Sequence, residues 1–384
     1  MTETVPAGGT VHWIGTGLSN GGGLALLCDR ADRVVVHGRT REKARQLLER
    51  LGLTGRATTA ALDPDALAAT LNRGDVVVSM LPATEHARLL RICEESGAHF
   101  ACSSYTSEEM AAAGPAAEAD GRVILTEAGL DPGIDHLLAH QLVSRARSAV
   151  GEDARDVRFT SYCGGLPAEP NDFRYRFSWA PRGVLTALLS PARHVADGEE
   201  RVVERPWEAV VAHRAGGETF EVYPNRDSLP FLDQYGFPAG WQVRQFVRGT
   251  LRLDGWQKAW EPVFEELRTG SAESVGALAD RLAARYPTGP EDRDRVVLSV
   301  ELTAHDAAGR PWQGSYFLDL RGGADESAMA RCVSVPLAYG VTRVLDGAVP
   351  AGLHRAAGSG EEAARWISFL NDYGIRCTYE ESYE

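Results

Sequence analysis

The chain has 384 residues, of which 44% are hydrophobic and 24% are charged. This length predicts two or more domains, and the composition is that of a globular protein rather than a disordered or fibrous one. The formal net charge of −13 argues against nucleic acid as a partner, because a phosphate backbone requires a basic surface. The sequence holds no apolar run of about 18 residues, so we expect no membrane span.

The cysteines and the opening residues bear on location. Six cysteines are scattered along the chain without a Cys-x-x-Cys pair, which predicts reduced thiols, no disulfides and no metal site. The opening sequence MTETVPAGG has neither the basic nor the apolar stretch of a secretion signal. We therefore expect a cytoplasmic protein that binds no metal.

The first third of the chain alternates short apolar strands with helices. The predicted strands are Val11–Gly15, Val34–Gly38, Asp75–Leu81, His99–Cys102 and Val123–Glu127, and the predicted helices are Arg41–Leu51, about Thr84–Ser96 and about Ser107–Ala113. Alternation of apolar strands with helices predicts a parallel, doubly wound sheet. We expect an α/β dinucleotide-binding domain of the Rossmann type over residues 1–130.

The pattern changes after Gly129, where longer strands mix apolar and polar residues. The predicted strands are Val157–Tyr162, Val202–His213, Thr219–Tyr223, Val243–Leu253, Val296–His305 and Trp312–Leu320. They predict an α+β substrate-binding domain over residues 131–327, with a mainly antiparallel sheet. Residues Trp256–Ala284 are predicted to be helical, within a short insert at 256–290. Helices at Ala328–Leu345 and Glu361–Leu370 belong to a last segment, 328–384, that we expect to pack near the first domain.

A glycine-rich turn directly follows the first strand and opens a helix. Such a turn lets the backbone approach a pyrophosphate and places that group at a helix amino terminus. The third glycine of the usual pattern is displaced to the run of glycines after position 20, and a tight connection without a ligand is the alternative. The predicted contacts to a dinucleotide are Gly15, Gly17, Leu18, Ser19 and Asn20.

The residues after the second strand indicate which dinucleotide binds. A fold specific for NAD usually has an acidic residue there, about 20 residues past the glycines, for the ribose hydroxyls. This chain has Arg39, Thr40 and Lys43 instead, which suits a 2′-phosphate and predicts NADP(H). A solvated basic start of a helix is the alternative. Leu81 and Pro82, after the strand at Asp75–Leu81, complete the predicted cofactor site, with a simple strand-to-helix turn as the alternative there.

Five polar, rigid motifs mark the rest of the chain. They are GLDPGIDH (Gly129–His136), SYCGGLP (Ser161–Pro167), FSWAPRGVL (Phe177–Leu185), YPNRDS (Tyr223–Ser228) and VRGTLRL (Val247–Leu253). In this order they resemble the saccharopine dehydrogenase family, in particular its glutamate-forming saccharopine reductase branch. The resemblance continues to Ser327–Pro336 and Tyr373–Ile375.

This resemblance implies a function and an assembly. In that family a Rossmann domain binds NADP(H), and a second domain binds saccharopine, a secondary amine with three carboxylates. The implied reaction joins L-glutamate to 2-aminoadipate 6-semialdehyde through an imine that NADPH reduces. The implied partner is thus a small amino acid substrate, and the implied assembly is a homodimer.

The resemblance also implies which residues line the substrate cleft. They are Ser104, Tyr105, Asp131, Cys163, Arg226 and Thr250. Arg248 joins them because it shares strand parity with Thr250, and a guanidinium binds a carboxylate through two parallel hydrogen bonds. We expect Asp131 and Tyr105 to supply acid–base catalysis, with ordered water as a competitor, and Cys163 to act beside them.

Structural roles are the alternatives for these residues. Asp131 could cap a turn, Tyr105 could pack, and Cys163 could be a small buried hydrophobe. Each arginine could form a salt bridge with one of the many acidic residues instead of binding substrate.

Two other functions stay open at this point. A related NADPH-dependent imine reductase, of the carboxynorspermidine type, would take a diamine, which clustered arginines disfavour. A non-catalytic NADP(H) sensor would need the first domain alone. The lysine-forming saccharopine dehydrogenases use a Lys/His pair, but the two lysines here, Lys43 and Lys258, lie at the cofactor end and in the helical insert.

Overall fold

The structure is a computed structural model that describes residues 3–289 and 291–383. The chain divides into two compact units. The first unit contains Met1–His136, Ala330–Gly358 and Arg365–Tyr373, and the second contains Leu137–Met329, Ser359–Ala364 and Gly374–Glu384.

The described residues form sixteen strands and thirteen α-helices. The strands are β1 (Thr10–Ile14), β2 (Arg33–Gly38), β3 (Thr58–Ala61), β4 (Val76–Ser79), β5 (His99–Cys102), β6 (Val123–Leu125), β7 (Arg155–Pro167), β8 (Ala192–Ala196), β9 (Glu199–Val203), β10 (Val211–Ala215), β11 (Glu218–Pro224), β12 (Val243–Leu253), β13 (Asp294–His305), β14 (Pro311–Arg321), β15 (Gly352–His354) and β16 (Thr378–Tyr383). The helices are α1 (Gly23–Arg30), α2 (Arg41–Arg50), α3 (Pro64–Thr70), α4 (His86–Ser96), α5 (Glu108–Ala119), α6 (Ile134–Val150), α7 (Pro181–Leu188), α8 (Pro230–Gln234), α9 (Trp256–Ala259), α10 (Glu261–Thr269), α11 (Ala272–Arg285), α12 (Ala328–Leu345) and α13 (Gly360–Asp372).

The first unit is built on a parallel sheet with the strand order β15-β6-β5-β4-β1-β2-β3. Each neighbouring pair is parallel, and the central strands are buried on both faces, as Val76, Val77 and Val78 show with 0% exposure. The first six strands follow the order of a Rossmann fold, which confirms the predicted fold class. Ligands of such sheets bind beyond the carboxyl ends of the strands, near the order reversal between β1 and β4.

Gly23 sets the position of α1, the helix that the glycine-rich turn opens. A Cβ at Gly23 would lie 1.9 Å from the carbonyl oxygen of Ser334 in α12. The Gly23 amide donates a hydrogen bond of 3.1 Å to the Ser334 hydroxyl. The amino terminus of α1 therefore packs directly against α12, and only glycine fits at this contact.

His99 and His37 are two of the buried histidines of the first unit whose pKa is lowered by burial. His99 Nδ1 accepts a hydrogen bond from the Val123 amide at 3.0 Å, and His99 Nε2 lies 3.1 Å from the Val5 carbonyl oxygen. Burial, only partly offset by the bond to Val5, lowers the pKa of His99 to about 4. Burial, together with the charge of His12, lowers the pKa of His37 to about 4.

We expect the free energy of unfolding to fall as the pH decreases from about 6.5 to about 4. Both folded-state pKa values lie below that of an unfolded histidine, so the unfolded state binds more protons throughout this window. The stabilisation is complete above the unfolded pKa and is lost as the pH falls through the folded pKa. Histidine NMR checks the cause: the His99 ring should not titrate above about pH 5, and a midpoint near 6.5 would contradict the assignment.

The second unit contains a mixed sheet of nine strands with the order β10-β11-β12-β7-β13-β14-β16, and β8 pairs with β12 and β9. The pair of β12 and β7 is parallel and the others are antiparallel, so the prediction of a mainly antiparallel sheet is confirmed. The predicted strand Val202–His213 is wrong, because a 3-10 turn at Pro206–Ala209 divides it into β9 and β10. Pro206 has no amide hydrogen to give to a strand pair.

The predicted helix at Trp256–Ala284 consists of three shorter helices. Pro262 lies in the first turn of α10, and Ser271 caps α11 by accepting a hydrogen bond from the Ser274 amide. The rings of Trp256 and Trp260 lie 5.2 Å apart between centroids, tilted by 41°, inside an apolar cluster to which α7 also contributes. Pro290, the last residue of the predicted insert, lies outside the described residues.

Over the described ranges, no helix has the combined length and apolar character needed to cross a bilayer.

Candidate active site

The predicted residues of the first unit come together at one edge of the parallel sheet. The glycine-rich turn follows β1, Arg39 follows β2, and Leu81 follows β4. Tyr105 follows β5, and Asp131 follows β6. The carboxyl ends of parallel strands share one edge, which is where ligands of this fold bind.

The glycine-rich turn is held close to its neighbouring strands. Gly15 has a φ of +119°, and its amide donates a hydrogen bond of 2.9 Å to the His37 carbonyl oxygen. A Cβ at Gly15 would lie 3.0 Å from the backbone of Met80, so a side chain does not fit there. Gly17 and Leu18 are exposed, and a Cβ at Gly17 would have no atom within 4 Å. The outer side of the turn is therefore open to a ligand.

The buried side chain of Asn20 stabilises this turn through two hydrogen bonds. Its side chain is buried, accepts a hydrogen bond of 2.6 Å from the Trp13 indole and donates one of 2.9 Å to the Gly17 carbonyl oxygen. An asparagine thus supports the turn at the position where the usual motif has its third glycine. Ser19, beside it, is partly exposed.

The basic residues after β2 suit an additional phosphate. Arg39 and Lys43 are exposed, and neither forms a salt bridge with a residue that the structure describes. Thr40 caps α2 by accepting a hydrogen bond of 3.2 Å from the Lys43 amide. Glu42, the acidic residue nearest to the end of β2, pairs with Arg45 on its own helix at 2.7 Å. The residues at this position thus fit the 2′-phosphate of NADP(H).

Leu81 and Pro82 lie in the turn that follows β4. His86 Nε2 lies 3.2 Å from the Leu81 carbonyl oxygen, and Pro82 is exposed. A 3-10 turn at Ala83–Glu85 precedes α4, so the predicted helix starts in a tighter turn than expected. Leu81 and Pro82 thus lie at the carboxyl end of β4, beside the point between β1 and β4 where the strand order reverses.

Tyr105 and Asp131 form a hydrogen-bonded pair. The tyrosine hydroxyl donates to Asp131 Oδ1 at 2.6 Å, and Ser104 and Tyr105 are both partly exposed. The turn that carries Asp131 depends on Gly133, which has a φ of +146° and whose Cβ would lie 2.0 Å from the Gly129 carbonyl oxygen. A hydroxyl on a carboxylate, at the edge of a dinucleotide-binding sheet, can move a proton to or from a bound substrate.

A cluster of charged residues adjoins this pair, and the motifs did not predict it. It consists of the buried residues Glu127, Asp135 and His136 and the exposed Arg355, and we call it the Glu127 cluster. The structure places His136 Nε2 at 3.1 Å from Glu127 Oε2. Glu127, Asp135 and His136 flank the GLDPG turn, and three ionisable residues so close together in the sequence were the signal that could have revealed the cluster. Arg355 comes from a distant part of the chain.

The predicted substrate residues of the second unit are neighbours in its sheet. Cys163 on β7 lies directly opposite Thr250 on β12, and Arg248 lies two residues before Thr250 on the same strand. Arg226 lies in the loop after β11, where the Asn225 amide donates to the Arg248 carbonyl oxygen at 2.9 Å. All four predicted residues of this unit therefore lie close to the middle of β12.

The arginines of this region differ in burial. Arg248 is buried with its guanidinium 3.9 Å from the centre of the Phe231 ring, while Arg226 is exposed with a φ of +58°. Arg244, which has the same strand parity as Arg248 in the sequence, lies at a bulge between Val243 and Gln245 and is exposed. The bulge shifts the alternation of side chains by one residue.

One nearby arginine fits the structural alternative. Arg176 forms a salt bridge of 3.0 Å with Asp292 and donates to the Pro287 carbonyl oxygen at 2.6 Å. Its role is to hold two segments of the second unit together.

Comparison with known proteins decides the family. Residues 11–125 match the model of the saccharopine dehydrogenase NADP binding domain, and residues 129–375 match that of the saccharopine dehydrogenase C-terminal domain. The chain belongs to the saccharopine dehydrogenase family. The predicted resemblance is confirmed, and the NADP binding domain of the family is the unit that carries Gly15, Arg39 and Lys43.

Relatives of the chain carry the family's name. Saccharopine dehydrogenase [NADP(+), L-glutamate-forming] of Pyricularia oryzae is 35% identical over 252 residues, which cover 64% of this chain and 55% of the relative. The enzyme of the same name from Saccharomyces cerevisiae is 37% identical over 201 residues, which cover 50% of this chain and 43% of the relative. The chain thus spans about half the length of these curated relatives.

Solved structures agree with this fold. Apo saccharopine dehydrogenase (L-Glu forming) from Saccharomyces cerevisiae aligns with a TM-score of 0.82 and 26% identity, over 97% of this chain and 99% of that one. A homospermidine synthase from Legionella pneumophila, in complex with NAD, aligns with a TM-score of 0.66 at 10% identity, over 100% of this chain and 93% of that one. The second likeness shows the fold alone.

Proposed function

We propose that this chain is an NADP(H)-dependent saccharopine reductase of the glutamate-forming type. The reaction is 2-aminoadipate 6-semialdehyde plus L-glutamate plus NADPH to saccharopine, NADP⁺ and water. The observation that carries the proposal is the 2.6 Å hydrogen bond from the Tyr105 hydroxyl to Asp131, in a chain whose relatives are named for this activity. NADPH, when bound, supplies the hydride that reduces the imine carbon.

The residues of the first unit handle the proton transfers. The amine of glutamate attacks the aldehyde carbon, and the adduct loses water to give the imine. Asp131 takes a proton from the ammonium group of glutamate and so frees the amine for attack, and in the adduct a second proton passes from nitrogen to oxygen to give a hydroxyl. The Tyr105 hydroxyl then donates a proton to this hydroxyl, which leaves as water and gives the protonated imine. Asp131 then returns a proton to Tyr105, so the pair ends the cycle as it began. Ser104, beside Tyr105, can bind a polar group of the substrate.

The residues of the second unit bind the carboxylates. Saccharopine has three carboxylates, and guanidinium groups bind such groups through paired hydrogen bonds. Arg226 and Arg248 supply these groups, and Thr250 adds a hydroxyl donor. Cys163, opposite Thr250, stays a predicted contact of the substrate.

The reaction is tested by following NADPH absorbance with panels of carbonyl compounds and amines. Turnover with 2-aminoadipate 6-semialdehyde and glutamate supports the proposal. Turnover with diamines in place of glutamate would indicate a reductase of the carboxynorspermidine type. Binding of NADPH without turnover on any pair would indicate a sensor.

Replacement of Arg226 by methionine should raise the KM for the amino acid substrate by about 10- to 100-fold, because a charge-assisted hydrogen bond to a carboxylate is lost. The dissociation constant of NADPH should be unchanged, since Arg226 belongs to the other unit. Arg244→Met is the matched control, because Arg244 is an exposed arginine at the bulge of β12. Equal losses of substrate and NADPH binding would instead indicate a structural role for Arg226.

The homodimer and the cytoplasmic location stay predictions. The first is checked by light scattering of the purified chain, for which we expect twice the mass of the monomer.

A further inference from the structure

The Glu127 cluster lies between the two segments that carry Tyr105 and Asp131. Glu127 is 3% exposed, and Asp135 and His136 are 0% exposed. All of its members and both segments belong to the first unit. The contacts of the cluster with these two segments show how it holds Tyr105 and Asp131 in place.

Glu127 holds the segment that carries Tyr105. Its amide donates to the Ser104 carbonyl oxygen at 3.0 Å. Its carboxylate oxygen Oε1 accepts hydrogen bonds from the Thr106 amide at 3.0 Å and from the Thr106 hydroxyl at 2.9 Å. Tyr105 lies between these two residues, so Glu127 fixes its backbone on both sides.

Asp135 and His136 hold the turn that carries Asp131. Asp135 Oδ1 accepts a hydrogen bond of 2.7 Å from the Gly133 amide, and the His136 amide donates to the Gly133 carbonyl oxygen at 2.9 Å. His136 Nδ1 lies 3.3 Å from Asp135 Oδ2. The turn is thus fixed at the glycine on which its shape depends.

The imidazole of His136 joins the two halves of the cluster. Its Nε2 lies 3.1 Å from Glu127 Oε2, and Arg355 Nε lies 3.1 Å from the same oxygen. Burial would raise the pKa of the Glu127 carboxyl, but the His136 imidazole and the Arg355 guanidinium beside it hold that pKa below its usual value.

Glu127 also has a φ of +55°, a conformation that costs a residue with a side chain about 1–3 kcal/mol. A buried, ionised and strained residue does not follow from packing alone, since an apolar residue would fill the space at lower cost. Strain of this kind accumulates at functional sites.

We propose that Glu127 and His136 are positioning residues that hold the Tyr105 hydroxyl on the Asp131 carboxylate. The proposal rests on the function proposed above, in which that pair moves protons. A proton donor displaced by a fraction of an ångström loses much of its rate advantage, so a rigid support beneath the pair has a direct kinetic effect.

The kinetic test is a double-mutant cycle of Glu127→Gln and Tyr105→Phe. Glu127→Gln should lower kcat by about 10- to 100-fold while the dissociation constant of NADPH stays within about twofold. Because Glu127 acts through Tyr105, the double variant should be little slower than the slower single variant. Effects on kcat that multiply in the double variant would overturn the proposal.

Asp75→Asn is the matched control for this substitution. Asp75 is also a buried carboxylate beside a histidine, with His12 Nε2 at 3.5 Å, but its other partner, Asn72, lies in the turn before β4. Asp75→Asn also replaces a buried carboxylate by an amide, but at a side chain that contacts neither the segment of Tyr105 nor that of Asp131. We expect its kcat to stay within about twofold of the parent. If Asp75→Asn lowered kcat as much as Glu127→Gln does, a specific role of the cluster would be contradicted.

A second measurement is independent of the substrate. The eleven tyrosines are replaced by 3-fluorotyrosine, and Tyr105→Phe assigns the ¹⁹F resonance of Tyr105. Glu127→Gln should move or broaden this resonance, whereas Asp75→Asn should leave it in place. Thr106→Val, which removes the hydroxyl that bonds to Glu127 and to the Thr126 hydroxyl but keeps the amide bond to Glu127, should shift the same resonance by a smaller amount and serves if Glu127→Gln does not fold. An unmoved Tyr105 resonance in the variants that fold would overturn the proposal, even if the parent had a different substrate.

Discussion

Replacing Asp131 by asparagine should lower kcat by about 10²- to 10⁴-fold, the usual contribution of a general acid or base. Asparagine keeps the shape of the side chain and can still accept the hydrogen bond from Tyr105, but it cannot take a proton. Tyr105→Phe removes the hydroxyl that donates this hydrogen bond and should lower kcat by a similar factor. Steady-state rates with saturating NADPH measure both effects.

Asp63→Asn is the control for this prediction. Asp63 caps α3 through its side chain, and asparagine caps a helix as well as aspartate does, so activity and stability should be unchanged. If Asp131→Asn retained the kcat of the parent, the Tyr105–Asp131 pair would not be the site of proton transfer, and ordered water would have to carry that step.

Replacing Arg39 and Lys43 together by serine should weaken NADPH binding by about 100-fold or more and leave NADH binding nearly unchanged. A charge-assisted hydrogen bond contributes about 1.5–3 kcal/mol, and both residues are exposed at the end of β2 where the 2′-phosphate of the cofactor is expected. Calorimetric titration with the two nucleotides measures the change in preference.

Arg50→Ser tests whether this effect is local. Arg50 is an exposed arginine at the opposite end of α2, so its loss changes the net charge but not the proposed phosphate contact. It should weaken NADPH binding by no more than about twofold. Equal losses of NADPH and NADH in the double variant would mean that the two basic residues support the fold rather than the phosphate.

The first sheet could be predicted largely because its strands are short apolar runs. Val76, Val77 and Val78 are an example: they are wholly buried, as their sequence suggests. Strand β3 and helix α3 were missed, since β3 is only partly buried and α3 has Leu67 as its buried residue. An apolar pattern cannot identify elements that bury so little.

The second unit was harder to predict because its elements are interrupted. Pro206 divides what looked like one strand, and the turn at Gly270 and Ser271 separates two of the helices in the insert. The parallel pairing of β7 with β12, which brings Cys163 beside Thr250, joins distant segments. Pairing of this kind depends on the tertiary fold, and local sequence does not specify it.

The candidate site was predictable where its residues follow a strand. The glycine-rich turn and Arg39 could be placed in this way, because the carboxyl ends of parallel strands meet at one edge. Tyr105 and Asp131 were predicted as separate candidates from the family resemblance, but their hydrogen bond appears only in the fold. The Glu127 cluster was missed because Arg355 reaches Glu127 from a distant segment that no local motif marks.

Under the proposed function, this chain breaks and forms the bond between the secondary amine nitrogen of saccharopine and the carbon that becomes the aldehyde of 2-aminoadipate 6-semialdehyde, so that the nitrogen stays with glutamate. Incubation of the purified chain with saccharopine and NADP⁺, followed by mass spectrometry of the released amino acid, tests it most directly. The proposed function predicts L-glutamate and 2-aminoadipate 6-semialdehyde, with one NADPH formed for each glutamate. Release of lysine, or no formation of NADPH from saccharopine, would contradict it.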